Sequence, residues 1–341
     1  MNISFSVFCA AKPHKRTFPF CSTTYTQFLM YTLDFKLLMR SKFIITIRVF
    51  CYDLVEKYTG NLCLRRRFKR KNGYPLDLAD PETFQEKVCW KMINDRNPLL
   101  PVVADKYLVY YYVASKIGSE RASKLLVKNY NLITEVEDLD KIELPNSFIM
   151  KSNQGSSRNF ICHDKTEVDV RELKKRVHKW LNSYIDMLGP QWAYKRIINK
   201  VVMVQKLLKG SEEFPIVEFK LYMLHGKCYL VHLISDRYGE KEKYFLDHNF
   251  ELLPSTSGIV NDYTRNLIAK HKENILELSY KFSEDFDFIR ADFMIHDNNL
   301  YLGELTNYPG SIFGNRIPES ANREMGKEWK LDRDYWKRRT F

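Results

Sequence analysis

Near the end of the chain, two carboxylates and an arginine stand on adjoining short runs. In FDFIRADFMIHDNNLYLGELTNYPG, Phe286 to Gly310, Arg290 and Asp292 lie two apart, as do Glu304 and Thr306. Both runs alternate in polarity and are rich in Ile, Phe, Leu and Tyr, the pattern of half-buried strands. On a strand, residues two apart share a face. The intervening Asp297-Asn298-Asn299 tolerate left-handed backbone and suit a tight turn. A three-residue turn pairs His296 with Leu300 and sets Asp292 opposite Glu304. A two-residue turn would shift the register and send the carboxylates to opposite faces. Facing carboxylates repel, so a cation has to offset them. Arg290 is one candidate and a metal ion the other. The plainer alternative is an arginine-bridged pair of solvated carboxylates on an edge hairpin.

Two further basic residues stand inside strand-like runs: Lys151 closes SFIMK and Lys220 lies within EFKLYML. Each alone would normally occupy a solvated face. Together with Arg290 they suggest one cationic face against a phosphate. The loop after Lys151, SNQGSSRN, supplies Ser152, Asn153, Gly155, Ser156 and Ser157, hydroxyls and backbone N–H groups around a single glycine that can close over phosphates. It is not a Walker loop, because GxxxxGK[ST] is absent and it joins two strands. Asp138-Leu139-Asp140 and Asp332-Arg333-Asp334 fit the DxD pattern by which glycosyltransferases hold a sugar-nucleotide diphosphate through metal, but both stand in charged, loop-like surroundings.

The elements that must position these residues follow from pattern and punctuation. Asp80-Pro81-Glu82 predicts a helix from Pro81 to about Ile93. The prolines of DRNPLLPVV break it, and a second helix runs from Ala104 to Gly118. Strands are expected at 147–151, 160–163 and 201–208, with a charged helix from Glu167 to Leu188. A hairpin over 218–237 turns at His225-Gly226-Lys227, a smaller one follows at 243–253, and a helix from Asp262 to Glu284 leads into the Phe286–Gly310 hairpin. Helices first, then antiparallel strands interleaved with helices, is an α+β order.

The net charge of +12 belongs to one end. Residues 1–75 hold fourteen Lys/Arg against Asp34, Asp53 and Glu56, a net of +11, and the remainder has a net of +1. A near-neutral body is not that of a nucleic-acid binder. Residues 1–25 lack a basic region ahead of an apolar core, so a secretory signal fits poorly. Charges interrupt 28–55 too often for a membrane span. Residues 28–71, with Arg65 to Lys71, read either as a helix on an anionic membrane surface or as a basic surface helix with a solvated charge run. Met39 offers an alternative start, which would make residues 1–38 an extension. Seven scattered cysteines with no CxxC, and eight histidines with no HExxH, support neither disulfides nor zinc. A reducing cytoplasm is the simplest compartment.

Four stretches carry a family resemblance: PETFQEKVCWKMINDRNPLLPVVADKYLVYYYV (81–113), LPNSFIMKSNQGSSRNFIC (144–162), EFKLYMLHGK (218–227) and FIRADFMIHDNNLYLGELT (288–306). In this order they resemble the TupA-like branch of ATP-grasp proteins, over about residues 74–315. The resemblance implies two antiparallel-sheet lobes gripping ATP, preceded by a helical N-terminal region. After the basic arm (1–73), which it does not cover, it implies a helical part (74–140), a lobe with the phosphate lid (141–210) and a lobe with the metal-binding hairpin (211–315), ahead of a tail (316–341). It also implies ATP and Mg²⁺ as cofactors. Lys151 and Lys220 would contact ATP phosphates under a lid of Ser152 to Ser157, Arg290 would contact phosphate or acyl-phosphate, and Asp292, Glu304 and Thr306 would hold magnesium. Thr306 stands where many ATP-grasp enzymes have Asn, Gln205 where the family has Glu at the nucleotide edge, and Gln154 where it has His. The implied function is ATP-dependent ligation of a carboxylate to an amine on a cell-envelope or capsular polysaccharide or its precursor. That work is cytoplasmic or peripheral at the inner face of the membrane, with a small-molecule or polysaccharide substrate. The alternatives are a glycosyltransferase and a non-catalytic nucleotide-binding or assembly module.

Overall fold

The structure, a computed structural model, describes residues 42–183, 189–211, 213–235, 242–314, 316–332 and 335. The alternative start at Met39 and residues 28–41 of the basic arm lie outside the described residues. Contacts divide the chain into residues 1–50 and 51–341, and both sheets belong to the second unit.

Helices α1 (Lys42–Tyr58) and α2 (Leu62–Asn72) come first, and Gly73 closes α2 in left-handed backbone at φ 85°. Helix α3 (Phe84–Asn94) begins later than Asp80-Pro81 predicts, because Thr83 is its cap. The Thr83 hydroxyl accepts from the Glu86 N–H while the Glu86 carboxylate accepts from the Thr83 N–H. A reciprocal box satisfies two orphan donors where the Asp-Pro signal satisfies one. The proline-rich break itself contains a helix, α4 (Leu99–Ala104), with Pro98 and Pro101 in the first turn, where no intrahelical donor is needed. The single helix expected from Ala104 is replaced by α5 (Val109–Ile117), followed by α6 (Ser119–Leu125). Asp105 interrupts it by accepting from the N–H groups of Tyr107 and Leu108.

Strand β1 (Asn129–Ile133) is polar and has no counterpart in the sequence reading. It joins β2 (Phe148–Ser152), β3 (Asn159–Cys162) and, after helices α7 (Val170–Leu181) and α8 (Trp192–Lys195), β4 (Val202–Lys206). They form an antiparallel sheet in the order β1-β4-β2-β3. Leu173, Val177 and Trp180 of α7 pack with Phe148, Met150, Val202 and Val204, covering one face. The expected continuation of α7 to Leu188 falls partly outside the described residues.

The second sheet is built from β5 (Val217–Leu224), β6 (Lys227–Ser235), β7 (Glu242–Leu246) and, after α9 (Asp262–Ser283), β8 (Phe288–His296) and β9 (Asn299–Thr306). Its order is β7-β6-β5-β8-β9, all antiparallel. Helix α9 packs against β5, β6 and β8. Leu208 and Ile216, in the connection from β4 to β5, pack with Met294 of β8, and Lys209 O lies 2.8 Å from His296 Nε2. The chain is thus α+β with two antiparallel sheets, the expected class.

Helix α10 (Glu319–Glu328) lies against α3. The crossing depends on Gly326, where a Cβ would meet Glu82 O at 2.2 Å and Thr83 Cα at 2.8 Å, backbone atoms that cannot rotate aside. Gly326→Ala is expected to destabilise the protein by about 3 kcal/mol, read as a lower thermal midpoint. An unchanged midpoint would mean that α10 can slide away without loss.

Candidate active site

The geometry of the site rests on two bulges. Asp297 and Asn298, both left-handed (φ 46° and 60°), form a two-residue turn between β8 and β9, so His296 pairs with Asn299 rather than Leu300. That register alone would separate the carboxylates. A bulge at Gly303, between the Phe293–Leu302 and Asp292–Glu304 pairs, adds one residue to β9 and returns Glu304 to a place opposite Asp292. The β5–β6 hairpin repeats the device. Its turn is His225-Gly226, and a bulge at Tyr229 brings His232 opposite Lys220. Phe245, His232, Lys220, Asp292 and Glu304 are consecutive cross-strand partners, one row across all five strands.

Arg290 is the cation that offsets the carboxylates. Its Nε and Nη2 donate to Asp292 Oδ1 and Oδ2, both at 2.6 Å, and Nη2 also reaches Glu304 Oε1 and Thr306 Oγ1, each at 3.2 Å. Thr306 Oγ1 donates to Glu304 Oε1 at 2.7 Å. Lys220 Nζ donates to Asp292 Oδ2 at 2.9 Å and to Glu218 Oε1 at 2.8 Å. The pair is not the solvated edge pair of the plainer alternative, since Asp292 is 1% exposed and β8 lies inside the sheet. Glu304, on the edge strand, keeps 42% of its side chain exposed.

Burial opposes the charge on Lys220, but Asp292 and Glu218 outweigh it against Arg290 and raise the ammonium above its ordinary range. Burial opposes the Arg290 charge too, and Asp292 chiefly outweighs it. His232 shows the reverse. Burial, with the charges of Lys220, Arg290 and Lys243, pushes its imidazole down to about 3, so it is neutral. Its ring stacks on Phe245, centroids 4.6 Å apart, and its Nε2 is buried without a partner among the described residues.

The oxygens of Asp292, Glu304 and Thr306 converge, since one guanidinium nitrogen touches all three. Such a donor set suits a hard divalent cation. Among the described residues no three His, Cys, Asp or Glu side chains cluster, so a cation here would rest on two carboxylates, with its other positions left to water or phosphate oxygen.

In the smaller sheet, Lys151 is paired with Asn159 and Met203, and Ile149 with Ile161 and Gln205. By strand alternation, Ile149, Lys151, Met203 and Gln205 share the face opposite the one that α7 covers. The loop after Lys151 differs from the expected lid. Ser152, Asn153 and Gln154 are buried. Asn153 donates to Asp105 Oδ2 (2.7 Å) and Asn199 O (2.9 Å), accepts from the Val201 N–H (3.1 Å), and its carbonyl accepts from the Lys106 N–H. Lys106 Nζ also donates to Gly155 O at 2.7 Å. Only the tip, with Ser156 and Ser157, is exposed, and both Gly155 (φ 76°) and Ser157 (φ 60°) are left-handed. Ser152 Oγ and Gln154 Oε1 are buried without partners among the described residues.

The DxD at Asp138-Leu139-Asp140 is employed structurally. Asp138 Oδ2 accepts from the N–H groups of Thr134 and Glu135, which hold its carboxyl down at about 2, and Asp140 pairs with Lys174. In the second DxD, residues 333 and 334 lie outside the described residues. Two site residues escape the sequence reading. Glu218 stands two before Lys220 on one strand and was open to the same period-two argument. His232 was open to it too, because a three-residue turn at His225-Gly226-Lys227 already sets it opposite Lys220, the pairing that the shorter turn and the bulge produce.

The sequence matches the model of the TupA-like ATPgrasp family over residues 86–330. No curated protein matches it. Among solved structures it is similar to D-alanine–D-alanine ligase from Helicobacter pylori, with 17% identity over 67% of this chain and 62% of that one, and a TM-score of 0.37. The ligase of the same name from Bacillus anthracis shares 17% identity over 67% of each chain, TM-score 0.38. N5-carboxyaminoimidazole synthetase from Staphylococcus aureus, complexed with ADP, shares 15% identity over 62% of this chain and 46% of that one, TM-score 0.36. The aligned part thus spans less than two thirds of the first and third of these proteins. With a family model matched across both sheets and the carboxylate hairpin, this chain belongs to the TupA-like ATP-grasp family.

Proposed function

We propose that the protein is an ATP-dependent carboxylate–amine ligase that modifies a cell-envelope or capsular polysaccharide or its precursor, at the cytoplasmic face of the membrane. The observation that supports this reading is the convergence of Asp292, Glu304, Thr306, Arg290 and Lys220 on one sheet face. In the reaction, a substrate carboxylate oxygen bonds to the γ-phosphorus of ATP as the bond to ADP breaks. The amine then bonds to the acyl carbon, phosphate leaves, and the amine's proton is lost. Little covalent chemistry falls to the protein, whose task is to position reactants and spread charge. Lys220 and Arg290 would meet the phosphoryl oxygens, and Lys151 and Gln205 share the sheet face that would take the nucleotide. Asp292 and Glu304, with Thr306, would hold Mg²⁺, which when bound supplies charge neutralisation for the phosphates.

Calorimetry with ATP and with UDP-sugars, each with and without Mg²⁺, tests the class. Binding of ATP that strengthens with Mg²⁺ is expected. UDP-sugar preference would mark a glycosyltransferase, and no binding of either a non-catalytic module. Within the ligase reading, Lys151→Ala is expected to weaken ATP binding about tenfold or more, the worth of one charge-assisted contact. Lys57→Ala, on α1, is expected to leave it unchanged. Equal losses from both would reduce the effect to general electrostatics.

A further inference from the structure

Helix α1 has two opposite faces. Tyr52 and Glu56 turn towards the protein body. The Lys195 ammonium lies 5.9 Å from the Tyr52 ring centroid, and the buried Glu56 carboxylate accepts from the N–H groups of Cys63 (3.1 Å) and Leu64 (3.4 Å), tying α1 to α2. The other face carries Cys51, Leu54, Val55 and Tyr58. Their spacing of three and four residues makes a single apolar stripe. Such a stripe normally covers a core, yet all four residues are exposed, Val55 by 51% and Tyr58 by 79%. One exposed apolar residue is ordinary, whereas a contiguous stripe marks a surface that meets something apolar.

The neighbouring charge indicates what it meets. From Lys57 to Leu76 the chain has seven cations, Lys57, Arg65, Arg66, Arg67, Lys69, Arg70 and Lys71, and no carboxylate. The apolar residues of α2 are already used, since Leu64 and Phe68 are buried and the Arg67 guanidinium lies over the Phe313 ring at 4.1 Å. A second copy of this chain seated on the stripe would bring two such cationic segments together. An anionic bilayer instead offers an acyl boundary for the stripe and phosphates for the cations.

We propose that the described residues from Cys51 through α2 form a membrane-docking surface, with Leu54, Val55 and Tyr58 entering the headgroup layer of an anionic bilayer and the cations of α2 holding lipid phosphates. This surface stands whatever reaction the sheets carry out.

Sedimentation of the full chain with phosphatidylcholine vesicles, and with vesicles of equal phosphatidylcholine and phosphatidylglycerol, tests it at low and high salt. The wild type is expected to bind only the anionic vesicles and to be released by salt. Each α2 cation is worth roughly fivefold, so Lys69→Gln/Arg70→Gln/Lys71→Gln should lose about a hundredfold. Leu54→Asp/Val55→Asp should also lose binding. The substituted side chains are exposed, so both variants should keep the wild-type thermal midpoint. Wild type that fails to bind anionic vesicles overturns the proposal. So does a stripe variant that binds like wild type, which would leave only surface electrostatics. A lipid-free dimer that the stripe variant converts to monomer would assign the stripe to a second copy instead.

Discussion

Asp292→Asn is expected to lower Mg²⁺-dependent ATP turnover by a hundred- to a thousandfold, the usual cost of losing one preorganised charge contact at such a centre, and also to weaken the fold. Viewed as one of two facing carboxylates, Asp292 is expendable to stability, and on the sequence alone both Asp292→Asn and Glu304→Gln are expected to leave the fold intact. The hydrogen bonds reverse this for Asp292. It is 1% exposed and is the shared anion of Arg290 and Lys220. Neutralising it leaves the buried Arg290 and the half-buried Lys220 with only Glu218 and Glu304 as their remaining acids. Breaking a buried pair in this way costs about 3–5 kcal/mol. Glu304→Gln differs, because Glu304 is on the edge strand, 42% exposed, and meets Arg290 by a single bond of 3.2 Å. Its stability cost should stay below about 1 kcal/mol, while turnover falls comparably to the Asp292 variant. ADP release and thermal unfolding without nucleotide separate the two effects. An active Glu304→Gln enzyme would remove the carboxylate pair from the reaction, and an Asp292→Asn protein as stable as wild type would mean that Arg290 and Lys220 find other anions.

The same hairpin shows which parts of the site could be read from the sequence. Period-two spacing places Arg290 with Asp292, and Glu304 with Thr306, without reference to any other element. The facing of Asp292 and Glu304 is right for a different reason than the turn suggested. The turn is one residue shorter, and the bulge at Gly303 makes up the difference. A lone glycine inside a strand pattern is the available signal for a bulge, and a Cβ there would come within 3.2 Å of Asp292 O. No glycine marks the bulge at Tyr229, but here too the shorter turn and the bulge cancel, so the three-residue turn expected at His225-Gly226-Lys227 already sets His232 opposite Lys220. Contacts between distant segments, by contrast, were illegible. Asn153 reads as an open lid residue until Asp105, Asn199 and Val201 are folded against it. Strand β1 is polar and owes its place to pairing with β4, a tertiary override of weak local propensity.

Lys91→Met is expected to be the most destabilising conservative-volume change in the helical part of the protein. Lys91 is fully buried on α3 and donates to both Asp95, one turn on, and Asp287, which immediately precedes β8. Trp329 Nε1 donates to the second Asp287 oxygen at 2.9 Å, so the cluster joins α3, the start of β8 and the segment after α10. Removing the cation alone leaves two buried carboxylates, at a cost of about 3–5 kcal/mol, or about 4–7 °C in thermal midpoint for a chain of this size. The pH dependence identifies the cause. Burial already raises the Asp287 carboxyl above its ordinary range against the pull of Lys91, and without Lys91 it must rise further. A carboxyl raised in the folded state destabilises above its unfolded pKa, and the penalty fades as pH falls through the raised value towards the unfolded one. The gap between variant and wild type should therefore narrow from neutral to mildly acidic pH, and Lys91→Met/Asp287→Asn should recover part of the loss. Because Asp287 lies three residues before Arg290, the single variant should also disturb nucleotide binding, although Lys91 is outside the site. A gap that stays constant with pH would trace the loss to packing of the Lys91 stem, not to the uncompensated acids.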